Sequence, residues 1–264
     1  MLNALIPIEL NLASNIALRY ACAQAKLFHM SLQPIHVEEP DAKAHSSQSG
    51  WIRRTWESGL QEAGRAEVQR ILNSETLDCV VMPQAVISVG DRSEAILEEL
   101  RRGDYDLFIE GVISNFNPGE FRKLLRSRLY KQMPCPVLMV KNLILSPRVL
   151  LLLDADTDPT DLVGRFLHLL DEPDVDFDLL AYEMDAPQSS ETPAEDRLRA
   201  ASGLLREQGR VPARSGVLHG APEAVAEELR EYGLLVSSLD RKSGRKSPLT
   251  EMLGRVPCPL LLCW

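Results

Sequence analysis

The chain has 264 residues, of which 45% are hydrophobic and 25% are charged, a composition typical of a globular protein. Its 29 basic and 38 acidic side chains give a formal net charge of −9. This charge disfavours nucleic acid and anionic membranes as partners, because both repel negative charge. No apolar run approaches the roughly 18 residues that a membrane-spanning helix needs, and the first residues lack the basic and apolar parts of a signal peptide.

Residues 1–142 alternate short apolar runs with helical patterns. The apolar runs predict β-strands near 2–8, 31–37, 79–86, 104–110 and 136–141. Between them, helices are expected near 12–29, 50–75, 91–102 and 119–132. The third of these helices has the clearest period, since Ile96 and Leu100 share one face and Glu94 and Glu98 share the other.

A second pattern of the same kind begins after Ser146-Pro147, where the proline disfavours helix in the residue before it. Its strands are expected near 149–153, 176–183, 211–218, 233–238 and 259–263. Its helices are expected near 160–170, 194–208, 221–231 and 248–255. Acidic side chains exceed basic ones by one in residues 1–142 and by eight in 143–264. We therefore predict two domains, 1–145 and 146–264, called below the first half and the second half.

The two halves repeat each other. Three segments of the first half have counterparts in the second half in the same order, which chance does not readily supply. The pairs are Ala4–Glu9 with Leu150–Asp154, Gly90–Leu100 with Gly220–Leu229, and Met133–Val140 with Val256–Cys263. Nearly uninterrupted apolar strands joined by helices indicate a parallel sheet covered on both faces. The predicted fold class is therefore α/β, with two doubly wound domains in tandem.

Nearly the whole chain resembles a tandem universal stress protein. The resemblance rests on the acidic residue that ends the first strand of each half (Glu9 and Asp154) and on the Gly-x-x-x-Glu-Ala helix start at Gly90–Ala95. It also rests on the strand–glycine junction Asp104–Gly111 and on the final Pro-Cys-Pro-Val-Leu-Met-Val strand. The resemblance implies an adenine nucleotide alpha hydrolase-like fold, with a five-stranded parallel sheet and four helices in each domain.

The resemblance also implies how the two domains assemble. Members of the family pair through the last strand of the domain, and a tandem chain can make that pairing internally. We therefore expect the strands after Pro136 and Pro259 to lie side by side, so that one chain forms a pseudo-dimer. The apolar ending Leu260–Trp264 adds the expectation of a further homodimer, because exposed apolar surface favours association.

The nucleotide-binding motif of the family is degenerate here. Nucleotide-binding members carry Gly-x-x-Gly, nine residues, then Gly-Ser/Thr after the fourth strand, which lets backbone N–H groups approach phosphates. In the first half Gly111 and Ser114 occupy the first two positions, and Leu124 and Leu125 occupy the last pair. In the second half Ser237 or Ser238 replaces the first glycine, and the loop before Ser247 is too short for the motif.

The first-strand aspartate of the family is also changed in one half, since Glu9 replaces it whereas Asp154 keeps it. We therefore expect a vestigial ligand pocket, no bound cofactor and the loss of family-type ATP binding. The candidate pocket residues are Glu9, Gly111, Ser114, Asp154, Ser237 and Ser238.

Basic residues follow the fourth strand of each half, on the carboxyl side of the sheet where doubly wound folds bind ligands. The candidates for contact with an anion are Arg122, Lys123, Arg126, Arg241, Lys242 and Arg245. The alternative is a solvated helix face that pairs with the acidic segments 154–161 and 171–178. Since charge runs usually mark solvated faces, we favour the alternative.

Metal and catalytic motifs give no further candidate. Asp154-x-Asp156-x-Asp158 is similar to the start of a calcium loop, but Pro159 and Arg165 stand where that loop needs glycine and a bidentate glutamate. The histidines lack metal-ligand spacing, and the sequence contains no nucleophile motif or catalytic triad. We therefore expect no metal and no catalytic residue.

The five cysteines are scattered and odd in number, with no Cys-x-x-Cys pair. They are Cys22, Cys79, Cys135, Cys258 and Cys263. This pattern argues against a disulfide framework and against structural zinc, and it favours a reducing cytoplasm.

Two functions remain open. The first is a non-enzymatic stress-response or regulatory module that acts by binding a protein or a small ligand. The second is an ATP-binding universal stress protein with weak or slow hydrolysis. The missing loop glycines favour the first, although a fold alone does not establish a function.

Overall fold

The computed structural model describes residues 1–39, 50–75, 78–112, 117–170, 175–184, 193–240 and 247–264, with side chains from residue 56 onward in the second range. The first-half strands are β1 (Leu2–Pro7), β2 (Met30–Glu38), β3 (Val80–Val81), β4 (Val86–Val89), β5 (Leu107–Gly111) and β6 (Val137–Val140). The first-half helices are α1 (Leu12–Ala23), α2 (Ala25–Phe28), α3 (Gly50–Ser74), α4 (Arg92–Arg102), α5 (Pro118–Leu125) and α6 (Arg128–Gln132).

The second half repeats this alternation of strands and helices. Its strands are β7 (Val149–Leu153), β8 (Phe177–Glu183), β9 (Arg214–His219), β10 (Leu234–Ser238) and β11 (Leu260–Cys263). Its helices are α7 (Pro159–Leu169), α8 (Ala194–Glu207), α9 (Pro222–Glu228) and α10 (Pro248–Leu253), with a 3₁₀ turn at Leu229–Glu231.

All strands of the described residues belong to one sheet. The first half contributes the order β3–β2–β1–β5–β6, with β4 also paired to β2, and the second half continues with β11–β10–β7–β8–β9. Strands within each half are parallel, whereas β6 and β11 are antiparallel, with Leu138 opposite Leu261. The α/β fold class predicted from the sequence is confirmed, and the boundary between residues 145 and 146 stays a prediction.

The sheet is covered on both faces, and each core layer runs through both halves. Side chains alternate along every strand, so Ile6 and Leu5 lie in different layers. The same alternation at the central pair of strands puts Leu138 with Leu261 in one layer and Met139 with Leu260 in the other. The layers therefore join the two halves into one hydrophobic core on each face.

The repeat seen in the sequence has a counterpart in the backbone. Gly90 and Gly220 stand at equivalent turns before α4 and α9, with φ angles of +144° and +132°. Residues with a Cβ rarely adopt this conformation, so both turns require glycine. Each glycine allows the chain to turn sharply from the end of a strand into a helix.

The outer edge of the first half differs from the prediction of one strand over 79–86. β2 pairs with Val81 through Leu32 and with Val86 through Ile35, and residues 82–85 leave the sheet between these points. Pro34 lies opposite this gap and has no N–H to donate to an edge strand. The proline therefore accounts for the division of the edge into β3 and β4.

Two predicted helices are also divided. The helix expected over 12–29 ends at Gln24 and resumes as α2. The helix expected over 119–132 stops after α5, and Ser127 begins α6 by accepting a hydrogen bond from the backbone N–H of Tyr130.

The expectation that the cysteines form no disulfide is wrong for one pair. The structure joins Cys22 to Cys79, whose Cα atoms lie 5.0 Å apart although 57 positions separate them in the sequence. The disulfide joins the last turn of α1 to the residue that directly precedes β3. The other three cysteines are free and buried.

Polar contacts of the last strands join the halves across the β6–β11 pair. The amine of Lys141, directly after β6, donates to Leu253 O at 2.6 Å and to Val256 O at 2.8 Å. The indole N–H of Trp264, directly after β11, donates to Cys135 O at 3.0 Å. Each half therefore supplies a side chain that satisfies backbone carbonyls of the other.

Candidate functional site

The candidate pocket of the first half lies at the carboxyl edge of its strands and contains an arginine. The Arg92 side chain, from the first turn of α4, reaches over this edge. Its Nε lies 2.5 Å from Glu9 Oε1, and its Nη2 lies 3.0 Å from Glu110 Oε1. Glu9 follows β1 and Glu110 belongs to β5, so Arg92 bridges two neighbouring strands.

Glu110 is also held from the other side. The Tyr130 hydroxyl donates to Glu110 Oε2 at 2.5 Å, and both residues are buried. Burial, followed by the nearby Glu110 carboxylate, raises the pKa of Tyr130 well above its usual value. Tyr130 therefore stays a neutral hydrogen-bond donor.

The turn after β1 fixes Glu9. Asn11 caps α1 by accepting from the backbone N–H of Ser14 at 2.8 Å, and its side-chain amide donates to Glu9 Oε2 at 2.8 Å. The Ser14 hydroxyl accepts from Glu9 N and donates to Pro7 O, both at 3.0 Å. The capping residues of α1 thus hold the carboxylate in place for Arg92.

The positive and negative charges of this cluster balance each other only in part. Burial opposes the charge of Arg92, but the carboxylates of Glu110 and Glu9 outweigh it and raise the pKa of Arg92. One guanidinium faces two carboxylates, which leaves an excess of negative charge. We call Glu9, Arg92, Glu110 and Tyr130 the Arg92 cluster.

Gly111 ends β5 in close contact with a helix. A Cβ atom built on Gly111 would lie 2.0 Å from Ala13 O and 2.4 Å from Ala13 C, far closer than atoms can approach. The backbone of the first turn of α1 therefore fills the space that a side chain at Gly111 would need. This contact gives Gly111 a packing role.

The candidate residues of the second half lie at the opposite edge of the sheet, because its strands run against those of the first half. Asp154 follows β7, and its Oδ1 accepts a hydrogen bond from the Thr157 hydroxyl at 2.6 Å. Burial raises the pKa of Asp154, and the hydrogen bond from Thr157 opposes that rise. Glu9 and Gly111 therefore cannot share one pocket with Asp154 and Ser238.

The serines at the end of β10 differ in exposure. Ser237 is fully buried and its hydroxyl donates to Ser238 O at 3.4 Å, whereas Ser238 is partly exposed. Ser237 pairs with Leu152 of β7, two residues before Asp154. Of the two serines, only Ser238 is accessible from the edge where Asp154 lies.

The basic candidates that the structure describes already have carboxylate partners or cap a helix. Arg122 pairs with Glu251 of the second half at 2.7 Å. Lys123 lies 3.8 Å from Glu120 and is largely exposed. Arg126 is the exposed C-cap residue of α5. The other four candidates lie outside the described residues: Ser114, Arg241, Lys242 and Arg245.

Sequence reasoning missed Arg92 and Glu110 as members of the site. Glu110 carried a signal, since a carboxylate inside an apolar strand is seldom buried without a partner. No sequence signal marks Arg92 as a site residue, because it is one of several charged residues on an amphipathic helix. Arg92 and Glu110 are far apart in the sequence, and only the folded structure brings them into contact.

Searches of the described residues for two other kinds of site are negative. These residues hold no group of three or more His, Cys, Asp or Glu side chains that could bind a metal ion. No helix within the same ranges is long and apolar enough to cross a membrane.

Comparisons with known proteins give similarity of structure without similarity of sequence. No family model matches the chain, and no curated protein matches it. A universal stress protein from Archaeoglobus fulgidus DSM 4304 superimposes with a TM-score of 0.63 at 15% identity, covering 99% of this chain and 96% of its own.

Two structures from Pseudomonas aeruginosa are also similar. A protein of unknown function from strain PAO1 has a TM-score of 0.59 at 17% identity, covering 98% of this chain and 91% of its own. A protein provisionally named a universal stress protein, from strain UCBPP-PA14, has a TM-score of 0.57 at 16% identity, covering 98% of this chain and 92% of its own. This chain therefore has the fold of universal stress proteins along nearly its whole length.

Proposed function

We propose that this protein is a universal stress protein-like regulatory module that acts by binding a protein or a small ligand, without catalysis and without family-type ATP binding. The similar folds support the first part of this proposal. The Arg92 cluster is the observation that carries the second part.

The negative charge of the Arg92 cluster disfavours binding of a phosphate group at the carboxyl ends of the first-half strands. A polyphosphate there would meet Glu9 and Glu110, and it would compete with them for Arg92. Removing Arg92 from Glu110 would leave that buried carboxylate without its positive partner, which costs several kcal/mol in typical proteins. The bound anion would add charge of the same sign.

The packing of Gly111 removes a second feature of a nucleotide site. Phosphate binding by a glycine loop needs open backbone N–H groups beside small residues. Here the first turn of α1 already occupies the open side of Gly111. The glycine is thus explained by helix packing, and its presence gives no support to nucleotide binding.

We propose the absence of catalysis because of the hydrogen bonds and the protonation of these same side chains. Glu110 accepts hydrogen bonds from both Arg92 and Tyr130, and the Tyr130 pKa is raised by burial. General acid–base catalysis needs a group that can exchange a proton near the working pH and reach a substrate. The cluster instead resembles a structural ion pair.

Titration calorimetry of the full chain with Mg-ATP tests the proposal. We expect no binding in the micromolar range, where a Kd of about 1 μM corresponds to about −8.2 kcal/mol. Binding at that affinity or tighter would overturn the loss of ATP binding. In that case, the affinities of Glu9→Gln and Asp154→Asn for Mg-ATP would show whether the nucleotide lies at the carboxyl ends of the first-half or of the second-half strands. Native mass spectrometry of the purified protein would identify any small ligand that remains bound.

A further inference from the structure

The Cys22–Cys79 disulfide ties a central helix to the outer edge of the sheet. Cys22 lies in the last turn of α1, which packs on β5 and β6 near the middle of the sheet. Cys79 directly precedes β3, which pairs only with β2 among the described residues. The disulfide is therefore a covalent cross-link between the edge strand and the body of the first half.

The two cysteine residues differ in exposure. Cys22 is 9% exposed and belongs to the core layer beneath α1. Cys79 is partly exposed, and the next residue, Val80, is 54% exposed. A dissolved thiol would therefore approach the disulfide from the side of Cys79. The three free cysteines are buried, and burial raises the pKa of each to about 12, so they are poor competitors in thiol exchange.

The edge strand has few backbone attachments, and its Val81 side chain is partly buried against the core. β3 is two residues long and pairs with β2 through Ser31 and Leu32. Beyond Met82, whose N–H donates to Leu32 O at 2.8 Å, the chain leaves the sheet opposite Pro34. Backbone pairing over so few residues stabilises a segment only marginally.

The helix on the other side of the disulfide is held independently. Arg19 of α1 makes two hydrogen bonds with Glu75, at 2.7 Å and 2.9 Å, which also fixes the residue that follows α3. Tyr20 is buried and its hydroxyl donates to Gly233 O at 2.7 Å. These contacts keep α1 and the end of α3 in place without the disulfide.

We propose that Cys22 and Cys79 form a thiol–disulfide exchange site, and that reduction of their disulfide releases β3 from the sheet edge while α1 stays docked. The released segment begins at Asp78 and ends at Met82. Its departure uncovers the outer edge of β2 at Ser31 and Leu32. The backbone N–H and C=O groups of an uncovered strand edge are left unpaired.

The exchange is balanced with a low-molecular-weight thiol such as glutathione. Its thiolate attacks Cys79 Sγ, the disulfide bond breaks, and the electron pair leaves with Cys22 Sγ, which takes up a proton. A second thiol attacks the mixed disulfide and releases Cys79 as a thiol. Two small thiols are thereby oxidised to one disulfide as the protein disulfide is reduced. Because the leaving group Cys22 Sγ belongs to a residue of the core layer, we expect the exchange to be slow.

The test uses the full chain equilibrated for hours in glutathione buffers that range from fully reduced to fully oxidised. Alkylation followed by mass spectrometry measures free Cys22 and Cys79, and hydrogen–deuterium exchange measures the peptides over 79–89 and 12–23. We expect both thiols to titrate together. We expect exchange over 79–89 to be about tenfold faster in the reduced protein and exchange over 12–23 to be unchanged.

Cys79→Ser is the matched control, since it should exchange over 79–89 like the reduced wild type in every buffer. If this variant does not fold, the wild-type titration decides alone. Free Cys22 and Cys79 in the oxidised buffer would overturn the proposal, and so would a disulfide that persists in the reduced buffer. Equal exchange over 79–89 in both states would exclude release of β3, and faster exchange over 12–23 would exclude a change confined to the edge.

Discussion

At the scale of single residues, Lys141 is a buried amine at the joint between the halves. Its amine donates to two carbonyls at the end of α10 and lies 5.9 Å from the centre of the Phe121 ring. Burial lowers the pKa of Lys141 to about 7, and the nearby Cys258 opposes this shift slightly. A neutral amine still has two hydrogens, so both carbonyls keep their donor when Lys141 loses its proton.

The stability of the protein should therefore rise with pH because of Lys141. The folded chain releases this proton near pH 7, whereas the unfolded chain keeps it to about pH 10.4. Between these values the unfolded state binds more protons, so the free energy of unfolding increases with pH. Urea unfolding of the wild type and of Lys141→Met at pH 7 and pH 9 measures the effect. We expect the wild type to gain about 2 kcal/mol relative to the variant over this interval.

Lys123→Met provides the control for this comparison, because it makes the same substitution at a largely exposed lysine. Its stability should follow the wild type at both pH values. If Lys141→Met has the same pH dependence as the wild type, the amine is charged in the folded protein throughout this range.

At the scale of secondary-structure elements, the close approach of α1 to β5 positions the first-half site. The contact between Ala13 and Gly111 sets how closely α1 approaches β5, and the N-cap residue of the same helix holds Glu9. Helix and strand backbones can touch in this way only where one residue lacks a side chain. The glycine therefore links the packing of α1 to the geometry of the Arg92 cluster.

Gly111→Ala should destabilise the protein, because its Cβ would overlap the backbone of Ala13 and the helix would have to move. Overpacking of this kind costs about 1–3 kcal/mol or more. Gly59→Ala is the matched control, since Gly59 lies in α3 with open space around it. That change should stabilise by about 0.5–1 kcal/mol, because alanine favours helix. Chemical denaturation compares the three proteins, and equal stability of Gly111→Ala and wild type would refute the packing role.

Periodicity in the sequence predicted the type and position of the helices and strands better than their ends or their tertiary contacts. The helix near 91–102 and the apolar strand near 149–153 were correct within a residue or two, since each is a run of strong local signal. The division of the edge strand was missed because its cause, Pro34, lies in the neighbouring strand. The Arg92 cluster was missed for a related reason, as its members come from separate elements that only tertiary packing brings together.

At the scale of the whole molecule, the two halves form one unit through the β6–β11 pair. Both core layers pass through this pair, and side chains from each half bind backbone carbonyls of the other. Arg122 and Glu251 add an ion pair between α5 and α10, two helices that cover the same face. Separation of the halves would expose the edges of two fully buried strands, which is a strong cause of aggregation.

The apolar chain end that led us to expect a homodimer lies in the core of the same chain. Leu260, Leu261 and Leu262 are fully buried in the middle of the sheet. Trp264 is partly buried, since it packs edge-to-face on Tyr130 and donates its indole N–H to Cys135 O. The apolar chain end that would drive association is therefore covered within the same chain. Sedimentation at micromolar concentration should give a species near 29.5 kDa. A species of twice that mass would show that another surface, such as one of the two sheet edges at β3 and β9, joins a second copy.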